Sequence, residues 1–160
     1  MKDDEPLLRQ ELGNYSSIVC FRAVVIGMED ALGARAAAVA LKAAGRKRGH
    51  DLVGELGLKG AGKGGNLDAV QQELDKALGV NGTRLCAIDK IEADGDDIIV
   101  HSRETICSAD EEQGSSRECT YTLGAVHGAV EAVMEQKYRG KQIGSVLRGQ
   151  THDIFRFTPR

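Results

Sequence analysis

The chain has 160 residues, enough for one domain that buries about 70% of the surface its unfolded form exposes. Its 21 Lys plus Arg against 24 Asp plus Glu leave a formal net charge of -3, so no global positive field draws in nucleic acid or an anionic membrane. Hydrophobic residues make up 41% of the chain but aromatics only 4%, which calls for a core of Ala, Val, Ile and Leu, with Gly allowing close approach.

No apolar run approaches the ~20 residues needed to span a bilayer, so no transmembrane segment is expected. The four Cys, at 20, 86, 107 and 119, lack C-x-x-C spacing, and the N-terminus has no apolar signal region. A reduced, cytoplasmic protein is the expectation, with Cys86 and Cys107 acting as small buried hydrophobes.

In chain order, residues 1–13 are charged and read as a mobile or loosely docked tail, followed by a single domain over residues 14–160. Asn14 or Ser16 offers the N-cap of a first helix, whose apolar positions include Ile18, Phe21, Val24, Val25, Met28 and Leu32, closed near Gly33. A second helix runs from Ala34 to Leu56. Gly45 and Gly49 each cost about 1 kcal/mol relative to Ala inside it, and their spacing predicts a face where another backbone comes close.

The basic run Arg46-Lys47-Arg48 in this helix reads as a solvated face, and His50 as favourable to the helix dipole. Gly57 to Gly65 holds five glycines and two lysines but lacks the strand and the hydroxyl residue of a phosphate-binding loop, so it reads as a flexible connector. Asn66 then caps a third helix, in which Leu67, Val70, Leu74 and Leu78 repeat at helical spacing before Gly79. Arg84 to Ala93 and Asp97 to Ile106 are predicted strands, joined by an Asp94-Gly95-Asp96 turn. That acidic turn lacks the ligand pattern of a calcium loop.

Ser115 or Ser116 can cap a last helix over Glu118 to Gln136, in which Gly124, Gly128 and Ala132 form a small-residue stripe. Tyr138 to Leu147 and Ile154 to Phe157 close the chain as two strands around Arg148-Gly149-Gln150. The predicted class is α+β: N-terminal helices and two antiparallel β-hairpins forming one sheet, with a glycine-rich helix between the hairpins.

This order, with Ala44-Gly45-x-x-x-Gly49 in the second helix and Cys119-x-Tyr121-x-x-Gly124-x-x-x-Gly128 in the last, resembles the 4-vinyl reductase domain family over most of residues 15 to 157. The resemblance implies a fold related to a subunit class of vesicle-tethering complexes, and homodimers paired through helices. It also implies a stand-alone version of a small-molecule or hydrocarbon-binding module, of the kind found in phenol-sensing transcriptional activators and beside bacteriochlorophyll synthesis genes. The family's C-terminal hairpin carries a Glu and two Cys that bind zinc. The matching stretch, Gln142 to Phe157, has neither residue type, so that zinc site is expected to be lost and no metal or other cofactor is assigned. His152 alone cannot replace a four-ligand site.

The candidate ligand-binding residues are Cys20, Val24 and Met28 on the first helix and Cys119, Leu123 and His127 on the last. Cys119 and His127, eight residues apart, stand about 12 Å apart along a helix, too far for a nucleophilic pair. No catalytic residue is assigned. The expected function is a non-catalytic small-molecule-binding or sensory module for a hydrophobic ligand, aromatic or tetrapyrrole, with a closed apolar cavity. The alternative is a scaffold or assembly factor that pairs with itself and with a larger protein complex, with a filled core and an exposed apolar patch. Vinyl reduction ranks below both, since no dinucleotide fingerprint accompanies it.

Overall fold

The structure, a computed structural model, describes residues 9, 11–13 and 15–160. Most of the tail read over residues 1–13, and the candidate cap Asn14, lie outside the described residues. The element order is α1 (Ile18–Leu32), α2 (Ala34–Glu55), α3 (Leu67–Leu78), β1 (Ala87–Asp94), β2 (Asp97–Arg103), α4 (Tyr121–Met134), β3 (Tyr138–Gly144) and β4 (Asp153–Pro159), with a short 3-10 turn at Val146–Arg148. The four strands form one antiparallel sheet in the order β1-β2-β4-β3. The fold is therefore α+β, with two hairpins joined edge to edge through β2 and β4 and with α4 between them in sequence.

Local chemistry sets most boundaries. Ser17, rather than Asn14 or Ser16, caps α1, its hydroxyl accepting from the Val19 N–H at 3.2 Å. Asn66 caps α3 by accepting from the Ala69 N–H, and Gly79 closes that helix. In the first hairpin Asp94 pairs with Asp97, and Gly95 at φ 62° takes the position that a type II′ turn reserves for glycine. The last helix starts later than its hydroxyl caps predicted, at Tyr121 after Thr120, because Ser115 and Arg117 are held in the preceding loop by ion pairs and hydrogen bonds.

The centre of the molecule is the contact of α2 with α4. Gly45 and Gly49 of α2 lie against the backbone of Tyr121, Ala125 and Ala129, while Gly124 and Gly128 of α4 lie against that of Lys42 and Arg46. A Cβ at Gly49 would stand 2.7 Å from the Ala129 nitrogen, and one at Gly128 would stand 2.8 Å from the Arg46 carbonyl carbon. The paired glycine spacing thus marks two helices whose backbones touch. With α2 on one side and the sheet on the other, α4 is buried along nearly its whole length.

On the sheet, Ile98 and Val100 pair directly with Phe157 and Phe155, and this apolar face shares one core cluster with Val126, Val130 and Val133 of α4. The same face continues to Ser102 opposite Asp153, so strand alternation carries a fully buried carboxylate to the end of the core. The glycine-rich segment after α2 is a connector but is not loose. The Gly60 and Gly62 N–H groups donate to the Ala132 and Val133 carbonyls at 3.0 and 2.9 Å, and Lys63 reaches Glu135 at 2.9 Å.

The basic run on α2 is only partly a solvated face. Lys47 and Arg48 pair at the surface with Asp51 and Glu55, whereas Arg46 makes a two-pronged bond, at 2.9 and 2.6 Å, to Glu131 of α4, whose side chain is 1% exposed. Glu131 also accepts from the Tyr138 N–H at 2.9 Å and meets His50 at 3.1 Å, so it ties α2, α4 and β3 together. His50 thus has a specific partner beyond the helix dipole. Burial by itself would raise the Glu131 carboxyl, but Arg46, the Tyr138 N–H and His50 outweigh it and hold its pKa down to about 2.

Two expectations follow from this geometry. Gly49→Ala and Gly128→Ala each lower stability by about 2 kcal/mol or more, overpacking outweighing a helix-propensity gain of ~1 kcal/mol; Gly27→Ala on α1, with open space at its Cβ, is neutral or stabilising in the same urea titrations. Because the folded pKa of Glu131 lies below its ordinary 4.5, its contribution is present above that pH and is lost as pH falls toward 2. Urea midpoints for Glu131→Gln are expected to show a loss of about 2–4 kcal/mol at pH 7 and a flatter acid limb than the native chain.

Candidate functional site

Helix α1 folds back over α2, and its contact with the rest of the molecule is narrow. Val25 is its one buried residue, and it joins Ala37 and Leu41 in a small satellite cluster with Phe21, Met28 and Tyr121 beside it. Below the N-terminal half of α1 lies a cavity of about 360 Å³, within the size range of small-ligand sites. Ile18, Cys20, Phe21 and Val24 form its outer wall, Gly49 and Leu52 of α2 its floor, and Tyr121 and Ala125 of α4 one side. Leu78 and Leu85, at and just beyond the end of α3, complete the apolar lining.

Polar groups are few and sit at the margin. Ser16, Thr83 and Arg48 reach the cavity, and the Arg48 guanidinium is already bonded to Glu55 at 2.9 and 3.2 Å. The rings of Phe21 and Tyr121 meet edge to face with centroids 4.9 Å apart, a geometry that favours a further flat ring beside them. Burial raises the Tyr121 phenol, so it stays a neutral hydrogen-bonding group. The cavity is open to solvent, and Ile18, Cys20 and Val24 of its outer wall are exposed.

The six candidate residues do not share one site. Cys20 and Val24 line the cavity, and Met28 lies further along α1 against the Val25, Ala37 and Leu41 cluster. Leu123 is packed in the main core. His127 donates its Nε2–H to the Tyr138 carbonyl at 3.0 Å and lies against the Phe157 ring, with burial lowering its pKa so that the imidazole is neutral. Cys119 precedes α4 instead of lying on it. The sequence reading missed Phe21, Leu52 and Leu85 as wall residues, and only the neighbour of Cys20 carried a local signal: a ring one position away on an apolar helix.

Cys119 is joined to Cys107 in a disulfide, Cα to Cα 5.1 Å, which corrects the reading of four reduced cysteines and of Cys107 as a plain hydrophobe. Cys20 and Cys86 are free, and burial pushes the Cys86 thiol up to about 12. Beside the disulfide lies the buried Asp153. It accepts from the Thr105 and Ser108 hydroxyls at 2.5 and 2.7 Å, from the Val146 N–H at 3.1 Å and from the Gln142 amide at 3.4 Å. Gln142 in turn accepts from the Cys119 N–H at 2.8 Å.

Here the loop between β2 and α4 meets the end of the second hairpin, the hairpin in which the family resemblance implies zinc. Ligand atoms of Cys107, Cys119 and Asp153 lie within 4.8 Å of one another, the one such group among the described residues. They do not fit the metal as they stand: both sulfurs are consumed by their mutual bond, and hydroxyl and N–H donors already surround the carboxylate. Neutral donors and a covalent cross-link hold this corner together.

No protein-family model and no curated protein matches the chain. Among solved structures, it is similar to the crystal structure of the phenol-responsive sensory domain of the transcription activator PoxR with phenol, with a TM-score of 0.68 and 12% identity, covering 91% of this chain and 76% of that one. It also matches subunit 3 of a trafficking protein particle complex from Naegleria fowleri, covalently bound to palmitic acid, at a TM-score of 0.47 and 13% identity over 90% of this chain and 97% of that one. The chain shares its α+β fold with that PoxR domain. No helix among the described residues is long and apolar enough to cross a membrane.

Proposed function

We infer that the protein is a non-catalytic binding or sensory module for a hydrophobic small molecule, held in the cavity beneath α1. The observation that carries this reading is the cavity itself: about 360 Å³, walled mainly by aliphatic and aromatic side chains. The sensory domain it resembles in fold was crystallised with phenol. The cavity lies near the lower end of the usual ligand-site range, which favours a one- or two-ring aromatic over a tetrapyrrole macrocycle. Its lining holds one thiol, two hydroxyl residues, a phenol and an arginine already engaged with Glu55, with no paired acid and base for chemistry.

A second reading rests on a different observation. Val19, Val24 and Leu32 on α1 and Val39 on α2 are all more than half exposed, a scatter of apolar side chains on the outer helices that suits pairing with a second copy or with a larger assembly. The homodimer implied by the family resemblance is drawn through this face.

Calorimetric titration with phenol, 1-naphthol and decanoate tests the ligand reading. The aromatics are expected to bind and to raise the melting temperature, and Val24→Trp, which narrows the mouth, weakens them at least tenfold; no binding by any of the three, together with a bare mass in native mass spectrometry of freshly purified protein, moves the assignment to the assembly role. Light scattering at micromolar concentration is expected to give a dimer mass, and Val19→Asp with Val39→Asp a monomer.

A further inference from the structure

The loop between β2 and α4 carries two devices that sit against each other: the Cys107–Cys119 disulfide and an ion-pair strap to α1. Arg22 of α1 bonds Glu111 of the loop at 2.7 Å, and Arg117 of the loop bonds both Glu111 at 2.8 Å and Glu29 of α1 at 2.5 Å. All four side chains are at most 24% exposed, so the strap is shielded enough to hold. The remaining grip on α1 is the small cluster around Val25 and the packing of Phe21 against Tyr121 and the main core. The position of α1, and with it the outer wall of the cavity, is therefore set through the loop that the disulfide closes.

We propose that the Cys107–Cys119 bond is a redox-sensitive clasp that controls α1 and access to the cavity beneath it. The proposal rests in part on the reading of that cavity as a ligand site. The bond spans 12 residues and fixes the two ends of the loop, Cys107 after β2 and Cys119 two residues before Tyr121, which lines the cavity. A thiol at either end leaves that segment tied by hydrogen bonds alone: at Gly114, whose N–H donates to the Leu147 carbonyl, at Ser115 and Arg117, whose carbonyls accept from Arg148, and at Cys119, whose N–H donates to Gln142. The donors to Asp153 beneath are hydroxyl and N–H groups, and neither sulfur is among them. Breaking the bond thus loosens the strap's anchor while leaving the sheet and α4 in place.

The chemistry balances with an external dithiol, of low molecular weight or in a redox protein. Its thiolate attacks the Sγ of Cys107, a residue at the narrow cleft between α1 and the loop and the less deeply buried of the two cysteines, as that cleft opens. Cys119 leaves as a thiolate, and the second thiol of the reductant then displaces Cys107. Two electrons and two protons pass to the cysteine pair, and the reductant ends as its own disulfide. In a cytoplasmic setting such a bond is of the transient, sensing kind rather than a permanent staple.

Amide hydrogen exchange of the full chain, before and after reduction by dithiothreitol, tests the clasp whether or not any ligand binds. Iodoacetamide without reductant is expected to label Cys20 and to leave Cys107 and Cys119 unlabelled. Reduction should accelerate exchange in residues 18–32 at least tenfold while α3 and β2 keep their protection; Arg117→Gln, which retains the disulfide, should exchange fast in both states. Labelling of Cys107 and Cys119 before reduction, α1 exchange that ignores reduction, or loss of protection throughout the domain would each overturn the proposal. Fluorescence of 1-anilinonaphthalene-8-sulfonate on the same samples reads the cavity separately: an α1 response without any dye or aromatic binding upholds the clasp and removes the ligand.

Discussion

Everything in this molecule is arranged around two helical backbones in direct contact. Where α2 crosses α4, glycines on each helix receive the main chain of the other, and no side chain fills the space between them. Helices packed through side chains stand about 8–10 Å apart; removing the Cβ atoms from the crossing allows a closer approach. That approach lets one helix, α4, serve both layers, presenting glycines to α2 and valines to the sheet. The few aromatic residues can then be spent elsewhere, Phe155 and Phe157 on the sheet and Phe21 and Tyr121 at the cavity.

Two buried carboxylates flank this crossing and are handled in opposite ways. Glu131 is matched by cations, Arg46 above all, and joins the three elements that meet there. Asp153 has no cation among its bonded partners and relies on hydroxyl, amide and backbone N–H donors gathered from three separate segments. A buried acid costs several kcal/mol if left unpaired, so each of these residues constrains its neighbours strongly. The first stiffens the helical layer, and the second organises the end of the sheet where the covalent cross-link lies.

What could be read from the chain follows the range of the interaction responsible. Asn66 and Gly79 bound α3, and the Asp94-Gly95-Asp96 turn sets the first hairpin, because capping and turn chemistry act within a few residues. The glycine pairs were legible because a helix that carries two such costs in register has few uses for them other than close approach. The disulfide was not legible: its spacing of 12 residues crosses an irregular loop, and only the paths of β2 and α4 bring the sulfurs together. Asp153 did leave a trace, alternating with Phe155 and Phe157 on one strand face, yet alternation alone does not say that a carboxylate on that face will be buried. The partner of Arg46 was hidden for the same reason, since a lone Glu in an apolar helix gives no hint of which basic residue 85 positions earlier it meets. The cavity wall, finally, depends on how α1 folds back, which no local signal encodes.

The joint between α1 and α2 is a single residue. Gly33 closes the first helix and opens the second, at φ 82° and ψ 147°, in a region of backbone space that side chains rarely enter. One residue supplies one pair of soft dihedrals, so α1 has a single pivot and a narrow arc, with its far end travelling furthest. That far end carries Ile18, Cys20 and Phe21, the wall of the cavity. A rotation of modest angle at Gly33 is therefore geared into its largest displacement at the outer wall of the cavity.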